Sequence, residues 1–273
     1  MSGRMRRLCI PHVAAALALR LTRRNGRDGW TALHRQACRG EEFEVDTIDY
    51  MGSANVKEKT QTPFGELTLK QFKKYEHDIW TEDNSRETRR TAKVIDDLVR
   101  SAKELMPIGA SVPRIVIVAK DRLGKGRYGG YDYKTDTIYY PNAYESIESI
   151  RRILESGYFG GTSPETLVLH ETGHKDHWDQ ARRLYKENPK KYNSLEDAKH
   201  YLDDARRYAL SRKLYDDPLF IVRNVSENAY DGLERNSTIN EYQADYFVKK
   251  CQNNVSYELA TFMEGIENDA LTK

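Results

Sequence analysis

Two histidines stand four residues apart, with a glutamate directly after the first, in His170-Glu171-Thr172-Gly173-His174. On an α-helix such positions lie on one face, one turn apart, so both imidazoles can reach a common point. A fold that uses this pair must keep the segment helical and turn that face inward. The lead-in Leu167-Val168-Leu169 is apolar, as a buried helix requires. Ser163-Pro164-Glu165 ahead of it is a start signal: a capping hydroxyl, proline at the first helical position, and an acid at the positive end of the dipole. The helix is expected to run to about Tyr185.

These residue types suit a metal. Zn²⁺ binds imidazole nitrogen at about 2.0–2.1 Å in near-tetrahedral geometry. Glu171, next to the first ligand, falls beside the open position, where a carboxylate can take a proton from water. Asn240-Glu241-Tyr242-Gln243-Ala244-Asp245 is a second segment of matching kind. Glu241 and Asp245 are four apart on an expected helix and share a face. Glu241 can be a third ligand, and Asp245 can fix the tautomer of a ligand histidine through its second ring nitrogen. Glu227, Asp231 and Glu234 are other acids close enough in sequence to compete. His177 reads as a helix-surface residue and His200 as part of a solvated helix, while His12, His34 and His77 lack evident partners.

Around these segments the pattern is mixed. Thr68–Tyr75 reads as helical, and the domain is expected to begin near Leu67. Val94, Ile95, Leu98, Val99, Ala102 and Leu105 give a helix over Thr91–Met106, ended by Pro107. Arg114–Ala119 is a β-branched run that reads as a buried strand. Gly130–Pro141 reads as two strands joined near Lys134–Asp136. Helices then follow over Ile147–Glu155, closed by Gly157, over Ser194–Leu214, over Leu219–Leu233, and from Ile239 onward. The order is that of an α+β fold: a small mixed sheet packed on the two-histidine helix, then a mostly helical C-terminal half.

Charge divides the chain. Residues 1–39 hold nine Arg, no Lys and one acid, Asp28, so the rest must carry −6 to give the overall +2. The acidic remainder shows no sign of nucleic-acid binding. Residues 1–55 read as a basic head, poorly ordered or a leader, and the change from Arg to Lys, with Lys57 the first lysine, makes Met51 a candidate start. Pro11, His12 and Arg20 interrupt the apolar run Leu8–Leu19, which disfavours secretion and leaves a cytoplasmic protein as the expectation. No segment reaches the ~18 apolar residues of a membrane span. Cys9, Cys38 and Cys251 are odd in number and fit reduced thiols better than a disulfide framework. Eighteen tyrosines argue against disorder as the dominant state.

His170-Glu171-Thr172-Gly173-His174 followed by Asn240-Glu241-Tyr242-Gln243-Ala244-Asp245 resembles the gluzincin metallopeptidases, whose pattern is H-E-x-x-H and then N-E-x-x-x-D. Gly157–His174, with Ser226-Glu227-Asn228-Ala229-Tyr230, is also similar to zincin-like domains of phage head-associated proteins and of lethal-factor-type peptidases. The resemblance implies a zincin-like domain over 67–273, with zinc on His170, His174 and Glu241, Glu171 as base and Asp245 behind a ligand. It also implies Tyr230 as an oxyanion donor, and Asn142-Ala143 on a substrate-binding edge strand. Sixty-six residues separate His174 from Glu241, a longer spacer than compact gluzincins use, so a helical insertion is expected around 190–215. The implied activity is hydrolysis of a peptide or protein substrate. The phage-like similarity implies an alternative, a head-morphogenesis or virion structural protein that binds other head proteins and cleaves nothing.

Overall fold

Leu67 and Leu69 are buried while Glu66 and Thr68, which alternate with them, are exposed, a pattern of period two. In a computed structural model, which describes residues 56–72 and 75–271, this stretch is a strand. It replaces the helix expected over Thr68–Tyr75. The two leucines must both meet the sheet layer formed by Trp80, Val116 and Tyr139, and only an extended chain turns alternate residues to one side. The Arg-rich head lies outside the described residues, as do Cys9, Cys38, His12 and His34. The chain divides at Met51/Gly52 into two units, and all the described residues belong to the second.

Strand β1 (Val56–Thr62) and strand β2 (Gly65–Gln71) form a hairpin, paired from Val56↔Gln71 to Thr62↔Gly65. The first strand therefore lies ahead of Leu67, the expected domain start. Strand β3 (Ile79–Thr81) runs antiparallel to β2 and parallel to β4 (Arg114–Val118). Helix α1 (Arg86–Leu105) makes the crossover between these parallel neighbours. It begins earlier than Thr91 because Ser85 caps it, accepting from the Thr88 amide at 3.2 Å. Strands β5 (Gly130–Asp132) and β6 (Thr137–Pro141) form the expected pair, with Asp136 in the turn at φ 48°. The sheet order is β1-β2-β3-β4-β6-β5, which leaves β5 at an edge. Along β4, Ile115 and Ile117 face the larger core with α1, while Val116 and Val118 face the smaller one with Leu67 and Leu69.

The rest is helical: α2 (Ile147–Leu154), α3 (Thr166–Glu187), α4 (Leu195–Asp216), α5 (Phe220–Asn224), α6 (Glu227–Asn236), α7 (Asn240–Cys251) and α8 (Tyr257–Leu271). With six strands and eight helices among the described residues, the α+β class is as expected. Three boundaries differ from the sequence reading. Helix α3 starts at Thr166, because Ser163–Glu165 form a turn and the Ser163 hydroxyl accepts from Gln252 Nε2 at 2.9 Å instead of capping. The single helix expected over Leu219–Leu233 is two, broken where Ser226 goes extended at φ −171° and caps α6. A further helix, α8, follows the one opening near Ile239, and its Leu259 and Met263 complete a second core with Leu210, Phe220, Ile221 and Tyr242. Among the described residues no helix is long and apolar enough to cross a membrane.

Candidate metal centre

Helices α3 and α7 supply the site, and glycine sets how closely they meet. A Cβ on Gly173 would stand 2.8 Å from both Cα and O of Ala244. The two backbones touch at that point, inside the two-histidine motif and one residue before Asp245. The contact brings Glu241, one turn earlier on α7, over the histidine face of α3. Gly232 on α6 permits the same crowding from the other side, since its Cβ would lie 2.9 Å from Glu241 Cγ.

The ligating atoms converge. His170 Nε2 is 3.1 Å from Glu241 Oε2 and His174 Nε2 is 3.8 Å from Glu241 Oε1. One atom from each of the three side chains lies within 4.8 Å of the others. Ligands at about 2.0–2.2 Å around a tetrahedral ion stand roughly 3.3–3.6 Å apart, so this spacing fits one cation with little adjustment. His170, His174 and Glu241 thus form a group that could hold a metal ion. His170 Nδ1 donates to Asp245 Oδ1 at 2.7 Å, which turns Nε2 toward Glu241 and the cleft. Asp245 also accepts from Asn228 Nδ2 at 3.2 Å and from the Ser226 hydroxyl. Asn228 Nδ2 lies 3.0 Å from Glu241 Oε2 as well. Both acids are thereby held by α6.

Electrostatics separate the groups. Burial opposes charge on His170, but Asp245 and Glu241 outweigh it and hold its pKa well above the usual value. Burial lowers His174 to about 4, so that ring is neutral and ready to donate a lone pair. Burial works to raise Glu241, yet the two histidines and Asn228 prevail and keep it far below the carboxylate range. Glu171 is the contrasting acid. Burial, with Glu241 and Asp245 adding to it, lifts its pKa to about 7. Its Oε2 is buried without a hydrogen-bond partner, and Oε1 would sit 2.6 Å from a Cβ on Gly129. The carboxyl is wedged between the His-His-Glu group and the chain entering β5, at the wall of a cleft of about 550 Å³ that all three residues of the group line.

Other expected site residues are placed elsewhere. Tyr230 does not line the cleft. Asn228, Asp231 or Gly232, and Arg235 are spaced by three, four and seven on α6 and face it, whereas Tyr230 and Leu233 pack on the helical core. Asn142 and Ala143 follow β6, an interior strand. Asn142 is occupied there, accepting from the Lys120 amide at 2.9 Å and donating to Thr88 at 3.2 Å. The edge strand beside the cleft is β5, with Gly129, Gly130 and Tyr131 in the wall.

His177 is not on a surface. It is 1% exposed, with Nε2 2.8 Å from Asp203 Oδ1, and α4 buries Lys199 and Arg206 on the same side. His77 has a partner too, its Nε2 lying 2.8 Å from the Pro113 carbonyl.

Several residues of the centre have no signature of their own in the sequence. Ser226 and Asn228 depend on the break before α6. Gly129 depends on the path of the loop into β5. Tyr158 lines the cleft with its hydroxyl donating to Asp231 at 3.1 Å, and only its nearness to Phe159 and the two-histidine helix hints at this. Comparison with protein-family models, with curated proteins and with solved structures finds no match.

Proposed function

We propose that the protein is a zinc-dependent peptidase with a zincin-like domain. His170, His174 and Glu241 hold the metal, and Glu171 is the proton carrier. The observation that carries this reading is the pairing of a convergent His-His-Glu group with a buried, unpartnered carboxyl oxygen on the next residue of the same helix. A purely structural metal site has no use for that second acid, whose burial is costly unless it acts.

Zinc held there supplies Lewis acidity, acidifying a water molecule and polarising a carbonyl. The protein's own groups do the rest. Asp245 keeps the His170 ring in the tautomer whose Nε2 is free, and Asn228 fixes the Glu241 carboxylate. Glu171, buried beside the three candidate ligands with Oε2 unpaired, takes a proton from the attacking water and returns it to the leaving amine nitrogen. Among the described residues β5 is an edge strand that lines the cleft, so an extended peptide adds there as a further strand.

Replacing Glu171 with Gln tests the assignment. Zinc content should stay near one per chain while peptide turnover falls by at least about 10²-fold, the lower end of a general base's contribution. Turnover equal to that of the unaltered protein would overturn it. Zinc retained with no hydrolysis by either protein would leave a structural centre of the head-associated kind.

A further inference from the structure

Arg127 is a cation in the cleft wall. Among the described residues it makes no ion pair and no hydrogen bond, whereas Arg235, the other arginine in the wall, pairs with Asp231 at 3.3 Å. Arg127 is nonetheless close enough to the centre to act electrostatically on Glu171.

Its position is built. The loop behind it is clamped by Glu82, which accepts from the Ala119 amide at 3.2 Å and pairs with Arg122, and by the buried Leu123. Gly124 and Gly126 turn the chain at φ +83° and +81°, conformations that side chains other than glycine rarely take. Directly after Arg127, the Tyr128 carbonyl accepts from the Tyr144 hydroxyl, and the Tyr128 ring meets Phe159 edge-on at 5.8 Å. Phe159 in turn meets His170 edge-on at 5.9 Å. Arg127 thus stands between two anchored residues, three positions before the edge strand begins. A cation carried to the rim of the site by an anchored loop, and making no ion pair among the described residues, is available to a charge that arrives with the ligand.

We infer that Arg127 binds a carboxylate of the peptide lying along β5, either an acidic side chain beside the scissile bond or the chain terminus. The inference rests on the peptidase reading for the occupant of the cleft. Arg127 is a specificity residue here: it selects carboxylate-bearing peptides and repels those with lysine at the same place.

The test separates binding from cleavage. Matched peptides carrying Glu, Gln or Lys at each position in turn, with free or amidated C-termini, are titrated onto zinc-loaded Glu171→Gln protein by fluorescence anisotropy. The same titrations use that protein with Arg127→Ala or Arg127→Glu added. Arg127 is exposed, and zinc content with circular dichroism verifies that each variant folds.

The expected result is about tenfold tighter binding of the carboxylate peptides, in line with a charge-assisted hydrogen bond. The preference should vanish with Arg127→Ala and turn toward lysine with Arg127→Glu. A preference that follows the Glu position identifies a side chain, and one that disappears on amidation identifies the terminus. Equal binding of all peptides, a preference unchanged by Arg127→Ala, or no binding at all overturns the inference. Turnover measured with Glu171 intact keeps the two readings apart. Charge-selective binding without cleavage would end the peptidase reading and leave the Arg127 assignment standing. Cleavage without charge selectivity would do the reverse.

Discussion

A carboxylate with no exposed surface needs a donor at each oxygen, and Asp245 has them: His170 on one, Asn228 and Ser226 on the other. Its charge matters as much as its shape, because it fixes which ring nitrogen of His170 carries the proton. Asp245→Asn keeps the size and removes the charge. It should weaken zinc binding by about 10–100-fold, as loss of a partner behind a ligand histidine commonly does. Competition against a chromophoric chelator reads this directly, and an unchanged affinity would show that Asp245 is only a packing group. At this scale the sequence was informative where spacing within one helix decides the geometry, as for His170 with His174 and Glu241 with Asp245. Ser226 and Asn228 stand in a segment the resemblance picks out, but their roles, like that of Gly129, come from elements that meet in space and are not written in local spacing. The sequence misled on His177 and His77, because polarity alone does not reveal a partner brought in by another segment, such as Asp203 or the Pro113 carbonyl.

Between elements, the approach of α3 to α7 is the determining contact. Gly173→Ala places a methyl group 2.8 Å from the backbone of Ala244, which no rotamer change relieves. The helices must separate, so the substitution should cost about 1–3 kcal/mol in urea unfolding, the usual penalty of overpacking. It should also lower zinc affinity by moving Glu241 off the imidazoles. Full stability with full zinc affinity would show that the contact is slack. Helix α3 was legible from its apolar lead-in and its two-histidine spacing, strand β4 from an unbroken β-branched run, and β5 and β6 from the turn between them. Strand β2 was not, since LTLKQF contains apolar residues that satisfy a short helical turn as well as a strand, and only the facing Trp80 and Val116 decide. The break between α5 and α6 was hidden for a related reason: Ser226 is an ordinary helix-surface residue until its hydroxyl is needed both as a cap and by Asp245.

For the molecule as a whole, tyrosine sets an alkaline limit. Burial holds the pKa values of Tyr140, Tyr144 and Tyr242 above the usual 10. Unfolded, these phenols ionise near 10; folded, they keep their protons to higher pH. The unfolded state therefore binds fewer protons above pH 10, and stability present below that value is lost as pH rises toward the folded pKa values, by up to about 1.4 kcal/mol per pH unit for each group. Urea midpoints should fall between pH 9 and 11, with a late fraction of phenolate absorbance appearing only on unfolding. A single early titration of every tyrosine with the fold intact would contradict this.

The spacing of the ligands along the chain has a consequence for that stability. Two come from α3 and one from α7, with sixty-six residues between His174 and Glu241. A bound ion therefore acts as a removable cross-link, closing a long loop that contains α4, α5 and α6 and disfavouring the unfolded chain much as a disulfide would. The melting temperature should track free zinc concentration, and a chelator should loosen the helical half, including the Asn228 tether to α7, before it disturbs the hairpin of β1 and β2 at the far edge of the sheet.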